Sequence, residues 1–140
     1  MLLDLSSLEH AVDSLERAIK VASSTIKGKV NTDNEQVIRA GVIQNFEFTY
    51  ELCWKFMQRW LKENQNKADA AQPLTRKELF RMAARSGIIK GPTPWFEYSD
   101  ARNLTAHTYD QEKAEIVYKT ALTFVADARY LLEQLKKNND

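Results

Sequence analysis

Apolar residues recur at helical spacing in every segment of this chain, and that recurrence restricts the fold class before anything else does. Leu8, Val12, Leu15, Ile19 and Ala22 share one helical face, and Ala114, Val117, Ala121, Phe124, Ala128, Leu131 and Leu135 make the cleanest stripe of all. Only 4 Gly and 3 Pro interrupt 140 residues, so the chain favours long elements over many short strands joined by turns. Three pairs have the spacing of a capping box, Ser6 with Glu9, Thr32 with Glu35 and Thr75 with Glu78. They predict helices from about Ser7 to Ile26, with Gly28 as the stop, from about Asp33 to Glu63, and from Thr75 to about Arg85. Asn64 to Pro73 reads as a polar, exposed loop, and Gly87 to Pro92 as a break. Thr93 is expected to cap the next helix with Pro94 in its first turn, and Asp110 to cap a last helix from Gln111 to about Lys137.

The second of these helices, on the order of 45 Å long at about 1.5 Å per residue, has two apolar stripes. Val42, Phe46, Thr49, Cys53, Phe56 and Trp60 form one, and Ile43, Tyr50, Trp54, Met57 and Leu61 the other. Two such faces predict a helix that is both central in its own bundle and shared with a second chain, hence a homodimer. The expected architecture is all-α: an antiparallel up-down bundle of four main helices plus a short extra one, as one domain over residues 1–140.

Composition supports a packed core, with 44% hydrophobic residues. A chain this long buries about two-thirds of the surface it exposes when unfolded, without disulfides or metals. Cys53 stands alone in an apolar run and reads as a buried thiol rather than a nucleophile; with two histidines it cannot build a zinc site. No metal site is expected. Residues 1–8 lack the basic flank of a signal peptide, and no apolar stretch approaches the roughly 20 residues that span a bilayer. A cytoplasmic protein without membrane contact is the expectation. Net charge is +1, but the stretch from Thr75 to Arg102 sets six basic residues (Arg76, Lys77, Arg81, Arg85, Lys90, Arg102) against three acidic ones, Glu78, Glu97 and Asp100.

That basic stretch leads into the segment richest in chemistry. Asp100, Arg102, Asn103, His107, Tyr109 and Asp110 fall within eleven residues. Histidine transfers protons near neutral pH, and the planar fork of arginine matches phosphate oxygens. The two suffice for metal-free RNA cleavage, in which a 2′-hydroxyl attacks the neighbouring phosphate. Within one continuous helix, however, Arg102 and His107 would stand roughly 140° apart, whereas Asn103 and His107 share a face. The pair meets only if the helix frays or ends between them, or if a second copy supplies one of them. A helix end with a surface histidine is the competing reading.

The spacing R-x4-H-x-Y, formed by Arg102, His107 and Tyr109, resembles the signature of HEPN-superfamily domains. The string ARNLTAHTYD looks more specifically like the branch paired with minimal nucleotidyltransferases. Phe46, Glu47, Glu51, Trp54 and Lys55 on the long helix are similar to that branch, as are Gly87, Ile88 and Ile89. The likeness implies one of two roles. In the first, the chain resembles the helical C-terminal domain of aminoglycoside (kanamycin) nucleotidyltransferases, split off as a subunit that binds the acceptor substrate for a separate nucleotidyltransferase chain. In the second, it is a metal-independent ribonuclease toxin, acting as a homodimer with facing motifs. The nucleotidyltransferase would then neutralise it by transferring AMP to Tyr109. Both imply a small nucleotidyltransferase partner in a heterotetramer that holds the homodimer. ATP and magnesium belong to that partner, and no cofactor to this chain alone. RNA is a further partner in the second role.

Catalytic roles accordingly fall to Arg102 and His107, the modification site to Tyr109, and support to Asn103 and Asp100. Weaker signals surround them. Lys77, Arg81 and Arg85 form a basic stripe that fits phosphate steering or a solvated face. Glu47 fits an amine contact or an exposed carboxylate, and Glu51 with Lys55 an i,i+4 ion pair. Trp95, with Phe96 and Tyr98, fits base stacking or core packing, and His10 lies off the apolar stripe of the first helix. The chain is not itself a nucleotidyltransferase, since Asp33, Asn34 and Glu35 lack the preceding Gly-Ser turn that chemistry needs.

Overall fold

The computed structural model describes residues 2–64 and 75–139 and contains, within them, five α-helices and no strand. They are α1 (Ser6–Thr25), α2 (Asp33–Asn64), α3 (Arg76–Arg85), α4 (Thr93–Leu104) and α5 (Gln111–Lys137), with one 3₁₀ turn at Thr105–His107. Asn64 closes α2, and the remainder of the expected loop lies outside the described residues.

Side-chain contacts fix the directions. Ser14 bonds to Asn45 and Thr49 to the Ala11 carbonyl, so α1 and α2 are antiparallel. Arg129 reaches Asp13 and Glu16 while Lys136 reaches Glu9, so α5 also runs against α1. Arg39 pairs with Glu115 near one end and Trp60 bonds to the Asn138 carbonyl at the other, so α2 and α5 are parallel. With Tyr98 on Asp127 joining α4 to α5, helices α1, α2, α4 and α5 make an up-down-up-down bundle and α3 is the short extra element.

Helix ends follow local chemistry. Thr32 and Glu35 exchange side-chain and backbone bonds in a true capping box. Thr75 Oγ1 accepts from the Glu78 amide, and Asp110 Oδ1 from the Glu112 and Lys113 amides. Two expected caps are replaced. The Ser6 amide and hydroxyl both donate to Asp4, which leaves Leu5 as the capping residue of α1. Pro92 occupies the cap of α4, so Thr93 is already helical. Gly28 is not the stop either, because Ile26 turns extended two residues earlier. Gly87 does what a glycine stop should: at φ +83° it ends α3 while the Ile88 amide bonds back to the Ala83 carbonyl.

Both stripes of α2 are used inside the chain. Val42, Phe46, Cys53, Phe56, Ile43, Tyr50, Met57 and Leu61 are all buried, and Trp54 and Trp60 half-buried. The two faces therefore give no reason for a second chain. At the centre lies an aromatic cluster. Phe124 meets Phe46 at 5.1 Å, Tyr98 at 5.0 Å and Trp95 at 5.6 Å between ring centroids, all edge to face, an arrangement that adds about 0.5–1.5 kcal/mol per pair beyond burial. Cys53 is fully buried and burial pushes its thiol up, away from reactivity. No helix among the described residues is long and apolar enough to cross a membrane.

Candidate functional site

The Arg102 to Tyr109 segment is where α4 gives way to α5. Thr105 does much of this locally. Its hydroxyl donates to the Arg102 carbonyl at 2.6 Å and accepts from Arg102 Nη1 at 2.8 Å, so it occupies groups at the helix end. A 3₁₀ turn follows, and the Asp110 amide bonds to the His107 carbonyl before α5 begins. The helix thus ends between Arg102 and His107. The 3₁₀ turn that follows advances about 120° per residue, and no contact among the described residues joins the Arg102 and His107 side chains.

Arg102 is half-buried and firmly placed. Nε donates to Glu51 Oε1 at 3.0 Å, and Nη1 lies 3.8 Å from Glu47 Oε2 as well as bonding Thr105. Glu51 has a second duty, since its Oε2 accepts from the Trp54 indole at 3.0 Å. Among the described residues, these contacts leave Nη2 of Arg102 without a hydrogen-bond partner. His107 is exposed, with its ring edge-on to Tyr109 at 6.1 Å and no hydrogen bond to Arg102. Tyr109 is 80% exposed, so its ring stands off the bundle end. It lines a cleft of about 230 Å³ with Gln36, Arg39, Thr108 and Gln111. Asn103 and Asp100 are exposed on α4 beside the motif.

The other candidates divide. Lys77, Arg81 and Arg85 are exposed on α3, as their spacing implied. Trp95 is corrected: at 1% exposure it packs on Phe80, Tyr98 and Phe124, and no substrate reaches it there. Glu47 faces Arg102 instead of standing open for an amine, and Glu51 serves Arg102 and Trp54 instead of Lys55. The sequence hint at Glu51 was its place one turn after Glu47, two carboxylates on one face in need of a cation. Nothing in the linear order named Arg102, 51 residues away, as that cation.

A second opening lies between α1 and α2, a groove of about 620 Å³ lined by Ser7, His10, Phe48, Glu51, Leu52 and Lys55. Among the described residues, no three His, Cys, Asp or Glu side chains gather where they could hold a metal ion. The motif itself presents an exposed imidazole and a guanidinium held from one side by carboxylates.

Comparison with known proteins gives the family and the fold. A Haemophilus influenzae protein named "Probable ribonuclease HepT" is 37% identical over 138 residues, spanning 98% of this chain and 94% of that protein. A solved H. influenzae structure, described as revealing the fold of a substrate binding domain of a nucleotidyltransferase, superposes with a TM-score of 0.86 at 37% identity, over 95% of this chain and 99% of that one. A structure from Thermus thermophilus shares the fold at 23% identity, with a TM-score of 0.64 over 87% of this chain and 98% of that one. The family model "Nucleotidyltransferase substrate binding protein like" matches residues 3–137, and the chain belongs to that family.

Proposed function

We propose that this chain is a metal-independent ribonuclease that works as a homodimer and is controlled by a small nucleotidyltransferase partner, which holds the ATP and magnesium. The carrying observation is the end of α4 at Leu104, which leaves Arg102 fixed on Glu51 and His107 exposed one turn beyond. In the proposed reaction the ribose 2′-oxygen attacks the adjacent phosphorus and His107 takes its proton. Arg102 Nη2 holds the non-bridging oxygens as charge builds on them. The bond to the 5′-oxygen breaks, leaving a 2′,3′-cyclic phosphate, and the leaving oxygen receives a proton from the His107 of a second copy. The similarity to a protein named as a probable ribonuclease supports this reading.

The test is cleavage of single-stranded RNA by the purified chain. His107→Ala should lower the rate by roughly 10²–10⁴-fold, and Arg102→Lys should also fail, because a lone ammonium lacks the planar set of donors that holds Glu51 and Thr105 while Nη2 faces the phosphate. A wild-type chain that cleaves no RNA and causes no growth arrest without its partner would overturn the proposal.

One observation favours a second role. The groove between α1 and α2 is large enough for a small acceptor molecule, and its His10, Ser7 and Lys55 offer polar partners. In that role the chain presents a substrate to the nucleotidyltransferase, in keeping with the family description. Transfer of a nucleotide to a small molecule in the presence of both chains, with this chain unmodified, would establish it.

A further inference from the structure

The cations of this bundle are held in two different ways. Arg39, Arg102, Arg129 and Lys136 all lie against carboxylates. Arg76, Lys77 and Arg81 of α3 lie instead against aromatic rings, as Arg59 and Lys90 do elsewhere. The Arg76 guanidinium sits 3.7 Å from the Trp54 ring centroid, and Lys77 and Arg81 lie 5.7 and 5.5 Å from that of Phe96. Lys55 flanks Trp54 from α2 at 5.7 Å. Among the described residues, none of these four is within ion-pair distance of a carboxylate.

The difference matters chemically. A carboxylate consumes N–H donors and neutralises the charge, whereas a ring face steadies a cation and leaves its donors free. Arg76 gives one donor to the Tyr50 hydroxyl, at 3.1 Å, and among the described residues bonds no other group. Lys77 and Arg81 are exposed and one helical turn apart, about 6 Å along the axis. The surface also runs directly into the motif. Arg76 covers Trp54, the Trp54 indole bonds Glu51, and Glu51 holds Arg102.

We infer that this ring-backed cationic surface of α3, α4 and α2 binds the phosphate backbone of a single-stranded RNA and feeds it to Arg102. The inference rests on the ribonuclease reading and names the residues that hold the substrate outside the scissile bond. Cations alternating with half-exposed rings suit a single strand, whose phosphates take the donors and whose bases lie on aromatic or guanidinium planes.

The experiment measures binding without cleavage. The full-length His107→Ala chain is titrated against a fluorescein-labelled single-stranded RNA of mixed sequence, from about 50 to about 200 mM salt, the range over which phosphate contacts reveal themselves. Adding Arg76→Gln, Lys77→Gln and Arg81→Gln should weaken binding roughly tenfold to a hundredfold near 0.1 M salt and reduce the salt slope by about 2, at about 0.7 per lost contact on a single strand. Replacing the exposed Lys20 and Lys27 of the α1 region by Gln should change neither, and circular dichroism checks that every variant keeps its helices. Binding and slope that survive the triple substitution overturn the inference alone. Absence of RNA binding with the surface intact overturns the ribonuclease reading and the inference with it. Retained RNA binding with lost capture of the nucleotidyltransferase would assign the surface to the protein partner and overturn the inference.

Discussion

Glu51 on α2 and Arg102 at the end of α4 are joined Oε1 to Nε at 3.0 Å, and the same carboxylate takes the Trp54 indole on its other oxygen. A guanidinium tied at Nε and at Nη1 cannot swing, so the edge it offers to a phosphate is set before substrate arrives. Replacing Glu51 by Gln keeps the shape and removes the charge; replacing it by Ala frees the arginine. Because the pair is half-exposed, the stability cost should be small, about 0.2–1 kcal/mol. RNA cleavage should fall much further with Glu51→Ala, by up to roughly 10²-fold, the penalty of a misplaced catalytic group, with Glu51→Gln recovering part of it. Initial rates beside thermal melts check this. Unchanged cleavage by Glu51→Ala would show that Arg102 needs no such anchor.

The dimer expected from α2 must use a different face from the two stripes that suggested it. Those stripes are buried within the chain. A third line on the same helix is open, where Val37 is 72% and Phe48 39% exposed, eleven residues apart and therefore within roughly 20° of each other around the axis. We expect Phe48→Glu to leave the bundle folded and to turn a dimer into a monomer in sedimentation at micromolar concentration. A wild-type chain that sediments as a monomer would remove the homodimer and with it the second His107 of the proposed reaction.

Core and motif should separate cleanly in stability measurements. Phe124 is fully buried and touches the rings of Phe46, Tyr50, Trp95 and Tyr98. Phe124→Ala should cost about 3–5 kcal/mol, a large share of the roughly 5–15 kcal/mol that holds a domain together. His107→Ala, at an exposed position, should stay within about 0.5 kcal/mol of wild type. Urea unfolding of the two variants tests the contrast. A large destabilisation by His107→Ala would mean that its loss of cleavage reports unfolding rather than chemistry.

What could be read from the linear order follows from what is local. Helix period needs only neighbours three and four apart, so all five helices were legible, as were the caps at Thr32, Thr75 and Asp110, whose partners lie within three residues. The caps at Ser6 and Thr93 were misread because a nearby competitor won, Asp4 in one case and Pro92 in the other. The pairing of Glu51 with Lys55 failed for a different reason. An i,i+4 rule sees only its own helix, while Arg102 arrives from a distant one. Trp95 was ambiguous for the same cause: whether a ring stacks on a base or on Phe124 depends on which helix lies over it. The motif stood out because its residues lie close together in the sequence, but the end of α4 at Leu104 and the hold of Glu51 on Arg102 became visible only in three dimensions.

Tyr109 is the residue on which control of the site should turn. It is 80% exposed, two residues past His107 and with its ring edge-on to the histidine at 6.1 Å. A hydroxyl so placed is free to enter the active site of a nucleotidyltransferase. There its oxygen would attack the α-phosphorus of ATP, pyrophosphate would leave, and the phenolic proton would pass to a base of the partner. The new phosphodiester would bring a negative charge to the motif beside His107 and would repel an RNA phosphate approaching it. The adenosine would stand over His107 and block it from solvent. None of this touches the buried rings, so the modified chain should melt as the unmodified one does while losing cleavage. The check is mass spectrometry of the chain after incubation with its partner, ATP and magnesium. We expect a gain of AMP that maps to Tyr109, is absent from Tyr109→Phe and coincides with loss of RNA cleavage, whereas Tyr109→Phe remains active in the presence of the partner. A chain that stays unmodified while a small molecule acquires the nucleotide would mean that the subunit presents substrates to the transferase and is not itself one.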